Sequence, residues 1–193
     1  MILPVIKYGH PVLRQKGARV ESVTLEIKQL ISDMFETMYA AKGIGLAAQQ
    51  VGKALQLAVL DLRAVTDRPS TLELKGKPAE LDTIMPLVLI NPEVKPLNDL
   101  VAGPEGCLSF PEMYGEISRP ESVDVKALNE KGKPIEFRAG GLLARAVQHE
   151  VDHLNGILFI DRMDRKTKNE LRNELELLQA ETKATLEAAK KRK

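Results

Sequence analysis

Two histidines four residues apart, His149 and His153 in the stretch Gln148 to Gly156 (QHEVDHLNG), have the clearest chemical spacing in this chain. On a helix successive side chains step by about 100 degrees, so both imidazoles stand on one stripe, one turn apart, and can reach a single ion. Glu150 follows the first histidine directly and lies beside the stripe, near an ion without being forced onto it. Such a set suits a metal held by two imidazoles with a carboxylate left to move protons. Two core histidines are the plain alternative, although buried neutral imidazoles still need hydrogen-bond partners.

The lone cysteine extends the count. Cys107 lies in Gly103 to Pro111 (GPEGCLSFP), a segment bounded by glycine and prolines where backbone N–H groups are expected to be left unpaired by regular structure. A free cysteine is commonly a small buried hydrophobe. Beside the histidine pair it completes three protein ligands, and a tetrahedral ion then keeps its fourth position for water. A closed structural site would need a fourth ligand, either His10 or a carboxylate. His10 precedes Pro11 in a turn-like sequence and reads as a structural polar residue, so the open, catalytic site is the simpler count.

Gly43 to Gly52 (GIGLAAQQVG) is the third informative stretch. Its glycines let a backbone approach another group closely, although Gly43 could merely end the preceding helix. It lacks the third glycine of a dinucleotide site and the Lys-Ser/Thr of a phosphate loop. Gln50, held by a tight loop, is either a donor to a developing oxyanion or a surface glutamine.

The elements that must position these residues follow from periodicity. GGLLARAVQHEVDHLNG opens on paired glycines, runs through good helix formers and closes on Asn155 and Gly156, which predicts a helix. Leu142 and Ala146 share its histidine side, Leu143, Val147, Val151 and Leu154 gather opposite, and Arg145, Gln148 and Asp152 form a narrow polar strip. A helix apolar on two sides belongs at the centre of a fold. Ser22 or Thr24 caps an amphipathic helix reaching about Ala41. Strands are expected at 55–62 (LQLAVLDL), at 86–92 (PLVLINP) and at 157–160 (ILFI), with a hairpin from Glu121 to Asn129 returning through IEFRA. The polar excursion 63–85 reads as irregular or as a small hairpin around Lys-Gly-Lys. From about Lys166 onward Leu171, Leu175, Leu178 and Leu186 mark one long charged helix with a narrow apolar seam, ending in the basic KKRK.

Composition bounds what the chain can do. Its 193 residues fit one domain, and 28 Lys+Arg against 27 Asp+Glu give no bulk attraction to DNA or to a membrane. No apolar run approaches a membrane span, and one cysteine agrees with a reducing compartment, so the expectation is a soluble, cytoplasmic protein.

GIGLAAQQ, EGCLS and QHEVDHLNG together resemble the three signature motifs of the peptide deformylase family, in the family's order. GHPVLR near the start is similar to the family's N-terminal pattern, and the resemblance extends to FIDRM at 159–163. It implies an α+β fold, a mostly antiparallel sheet around a central metal-binding helix, with a catalytic domain at 1–164. A C-terminal charged helix and basic tail at 165–193 would pack on that domain or extend from it. The implied activity is removal of the formyl group from the initiator methionine of nascent chains, releasing formate. Carried over, the resemblance makes Cys107, His149 and His153 the ligands of one divalent ion, with Fe2+ the native metal and Zn2+, Ni2+ or Co2+ able to replace it. Glu150 becomes the acid/base, Gln50 and the Leu108 N–H face the oxyanion, and Gly45 lies against substrate. Arg119 pairs with Glu105 to hold the cysteine segment. Helix phase adds Leu142 and Ala146, with Ile44 from the glycine loop, as an apolar pocket for the methionine side chain; core packing is the alternative. N-formylmethionyl peptides are the implied substrate, and in bacterial relatives a C-terminal helix contacts the ribosome.

Two other readings compete. A zinc peptidase of the HExxH type would take Glu170 or Glu174 as third ligand, and a ribosome-binding module would close its metal site with His10.

Overall fold

The computed structural model describes residues 1–191; Arg192 and Lys193 of the basic KKRK end lie outside the described residues. Helix α1 (Leu25–Ala40) starts where the Thr24 hydroxyl accepts from the Ile27 N–H, and it buries Ile31, Met34 and Met38. Strands β1 (Gly45–Ala47) and β2 (Leu57–Leu60) follow, separated by a 3-10 turn over Ala48–Val51. The 63–85 excursion is a small hairpin, β3 (Ser70–Leu74) and β4 (Lys77–Pro78). Its turn residues Lys75 and Gly76 both have positive φ, 52° and 75°, which the tight turn demands.

Two long strands dominate the sheet, β5 (Leu87–Cys107) and β6 (Phe110–Leu128), and β7 (Pro134–Gly140) returns beside β6. The order is β1-β2-β5-β6-β7-β3-β4, with every pairing antiparallel. Helix α2 (Gly141–Leu154) touches β1, β2, β3, β5, β6 and β7, so it is wrapped by the sheet. Leu142, Leu143, Ala146 and Val147 pack with Leu60, Leu87, Val123, Val125 and Phe137. Truncating fully buried Leu143 to alanine would cost about 2–5 kcal/mol by the usual scale for a core leucine. On the other side α1 packs Met34 and Met38 against Leu46, Leu57 and Val59. This is the expected α+β architecture.

Three expectations need correction. Gly103–Pro111 is mostly strand: β5 continues through Cys107 and pairs with β6, with a register shift between Gly106 and Cys107 and a tight turn at Leu108 and Ser109. The apolar run 157–160 is not a strand, because Leu158 instead caps a short helix, α3 (Phe159–Arg162), and its N–H donates to Asp161 at 2.9 Å. The charged C-terminal segment is two helices, α4 (Arg165–Glu170) and α5 (Arg172–Lys191), divided at Leu171. Leu175 is buried with Phe110, Phe159 and Leu13, with Leu171 and Leu178 beside it. No described helix is long and apolar enough to cross a membrane.

Candidate active site

Cys107 ends β5 at the turn, while His149 and His153 project from one face of α2. One ligand atom from each lies within 4.8 Å of the others. Cys107 Sγ is 3.3 Å from His153 Nε2. Metal–sulfur and metal–nitrogen bonds of about 2.3 and 2.0–2.1 Å at a tetrahedral angle put such a pair about 3.5 Å apart, so the two fit one ion. His149 Nδ1 is engaged by Glu105 Oε2 at 2.9 Å, which leaves Nε2 for the cluster. Burial, and then His149, push the His153 pKa well below the usual imidazole value, the neutral form a ligand needs. At His149 burial works the other way from its neighbours: contacts with Cys107 and Glu105 outweigh it and hold the pKa well up. This corner of the site therefore favours a positive charge, and a divalent cation would bring one. His10 is elsewhere, its Nδ1 accepting from the Val12 N–H at 3.1 Å, and Glu170 and Glu174 are exposed on the C-terminal helices.

Glu150 lies in the same cavity, of about 490 Å3, and its pKa is pushed up to about 7 by burial. Its Oε2 is buried without a hydrogen-bond partner, so one oxygen is free for a proton or a water. Gly45 makes room for it, because a Cβ there would run into the Glu150 carboxylate. Gln50 is buried, and its orientation is set from behind: Oε1 accepts from the Ala47 N–H at 2.9 Å. Nε2 is thereby aimed at Ser109 Oγ, 3.2 Å away, and Cys107 Sγ, 3.5 Å away. Gln50 is therefore not a surface glutamine: its donor is fixed beside the ligand set. Leu108 occupies the turn next to Cys107, and its carbonyl is held by Lys7 Nζ at 2.7 Å. Ile44, Gly45, Leu142 and Ala146 all line the cavity, with the last two also packed into the core.

The wall behind the ligands is ionic. Arg119 donates to both oxygens of Glu105 and to Asp152, and Asp152 also accepts from Arg162. Arg145 joins through Glu105 at 3.0 Å and the carbonyls of Val101 and Ile117, each at 2.7 Å. Burial alone would raise the Glu105 pKa, but hydrogen bonds from His149 and Arg119 hold it down to about 2. The Arg119–Glu105 pair was expected; the roles of Arg145 and Asp152 were not. Their only advance signal was the polar strip on a helix otherwise apolar on two sides.

The chain matches a family model described as Polypeptide deformylase over residues 2–169. It is 45% identical to a peptide deformylase of Opitutus terrae, over 95% of this chain and 96% of that protein. It is 46% identical to one of Methylacidiphilum infernorum, over 91% of this chain and 92% of that protein. Among solved structures, the Synechococcus elongatus peptide deformylase in complex with actinonin is similar at TM-score 0.76 and 43% identity, covering 89% of this chain and 85% of that one.

Proposed function

The chain belongs to the polypeptide deformylase family, and from that premise we propose that it removes the formyl group from the initiator methionine of nascent polypeptides and releases formate. The observation that carries this reading is the convergence of ligand atoms from Cys107, His149 and His153, two of which, Cys107 and His149, line a cavity together with Glu150 and Gln50. A divalent ion held by those three ligands would supply acidity that ionises water near pH 7 and would polarise the formyl carbonyl. Glu150 takes the proton released when water attacks the formyl carbon. As charge builds on the carbonyl oxygen, Gln50 Nε2 and the Leu108 N–H donate to it. The C–N bond then breaks, formate departs, and Glu150 returns its proton to the amine nitrogen. Ile44, Leu142 and Ala146 accept the methionine side chain, and Gly45 leaves the substrate and Glu150 space.

We read the resident metal as Fe2+, with Zn2+, Ni2+ and Co2+ as substitutes for the same sulfur and nitrogen ligands. Residues 1–164 form the catalytic unit in this reading, working in the cytoplasm, and 165–193 form a C-terminal appendage that engages the ribosome. Equal ribosome cosedimentation with and without residues 166–193 would defeat that last role.

The activity itself is tested with a formyl-Met peptide and its acetyl-Met counterpart. One formate and one free amine per formyl peptide, with internal peptide bonds intact, is the expected result. Internal cleavage would instead support a zinc peptidase.

A further inference from the structure

The cations around the cavity fall into two groups. Arg145, like Arg119 behind it, is buried and committed to Glu105. Lys42 and Arg68 stand at the rim, the first exposed and the second half-buried. Neither forms an ion pair among the described residues. Arg68 is brought there by the 63–85 excursion, and its one side-chain bond among the described residues, from Nη2 to the Pro104 carbonyl at 3.3 Å, leans it against β5. That contact leaves most of its five donors free and neutralises no charge. Lys42 approaches from the turn after α1, where its φ of 54° holds an uncommon left-handed backbone. With Lys7, three cations outside the Glu105 network line the cavity, against two carboxylates, Glu112 and the buried Glu150, that form no ion pair among the described residues.

With the formyl group at the ligand cluster, the rest of the peptide leaves through the mouth of the cavity, so the residues that follow formyl-methionine pass this rim. Free charges at the mouth of a cleft raise the local concentration of an opposite charge, and a guanidinium fork matches a carboxylate in two bonds. We propose that Arg68, assisted by Lys42, selects peptides that carry a carboxylate on the second or third residue after formyl-methionine. This specificity rests on the deformylase reading, and it concerns residues outside the reacting centre.

The test uses formyl-Met-Ala-X peptides with amidated C-termini, X being Asp, Asn or Lys, and measures formate release. Wild type should favour Asp over Lys by about fivefold in kcat/KM, carried by KM, in the range of exposed charge contacts. The preference should shrink towards unity in about 1 M salt, where screening is nearly complete. Arg68→Gln should halve the preference or more, Arg68→Lys should restore part of it, and Arg68→Glu should invert the order. A residue that only supports the fold would slow all three peptides alike. Lys42→Glu, on a separate segment, should lower the Asp/Lys ratio independently and keeps the test open if Arg68→Glu fails to fold. Equal rates for Asp and Lys in wild type, or an unaltered ratio in the charge-reversed variants, would overturn the proposal while leaving the activity intact. No formate from the Asn peptide would overturn the deformylase reading and this inference with it.

Discussion

The inner wall of the cavity and its mouth use the same residue types in opposite ways. At the wall, Glu105 is shared by Arg119, Arg145 and His149, all buried, and the two arginines are held in turn by Asp152 and by the Val101 and Ile117 carbonyls. At the mouth, Lys42, Arg68 and Glu112 carry charges that no ion pair claims among the described residues. Charges deep in the fold are costly unless matched, so they serve to fix the His149 ring and the end of β5. Free charges on the rim cost little and remain available to a passing peptide.

Breaking the wall and the groups it holds should give the larger effects. Glu150→Gln should lower kcat by about 10²–10⁴-fold, the range for a lost acid/base group, with bound metal retained. If metal is lost as well, Glu150 is acting as a ligand. Gln50→Ala should lower turnover on the order of 100-fold, since one oxyanion donor disappears, and an unchanged turnover number would remove Gln50 from the mechanism. Glu105→Gln should weaken metal affinity by about 10–100-fold through the loosened His149, measured by competition with a chelator. The same variant has a pH signature. Glu105 titrates at about 2 in the fold against 4.5 for an unperturbed glutamate, so its contribution to stability is complete above pH 4.5 and lost as the pH falls towards 2. Unfolding free energy should therefore be flatter over that window in Glu105→Gln than in wild type. A smaller effect than these belongs to the side-chain pocket, where Ala146→Leu should shift preference between formyl-Met and formyl-Leu peptides by about tenfold. No shift would return Ala146 to a pure packing role.

The difference between wall and ligands also explains what could be read from the chain. His149, Glu150 and His153 were legible because one helical turn joins them, and Cys107 entered by counting ligands. Arg145 and Glu105 meet across 40 residues, and no local period encodes that contact. Periodicity placed α1, α2 and the β6–β7 hairpin. It failed at 157–160, where an apolar run suits a strand or a buried short helix, and the Asp161 cap decided for α3. Glycine and proline suggested a loop around Cys107, but cross-strand pairing with β6 overrode those local preferences. Gly45 hinted at a close approach, and only the fold shows that Glu150 is the group approached.

The central claim is that formate release depends on one ion held by Cys107, His149 and His153. Metal-free protein titrated with Fe2+ without oxygen, with bound metal and formate release from a formyl-Met peptide followed in the same samples, tests it most directly. The account predicts a rate that rises in proportion to bound metal and levels off at one ion per chain, with no rise in Cys107→Ala. Full activity in the metal-free protein, or an undiminished metal-dependent rate in Cys107→Ala, would contradict it.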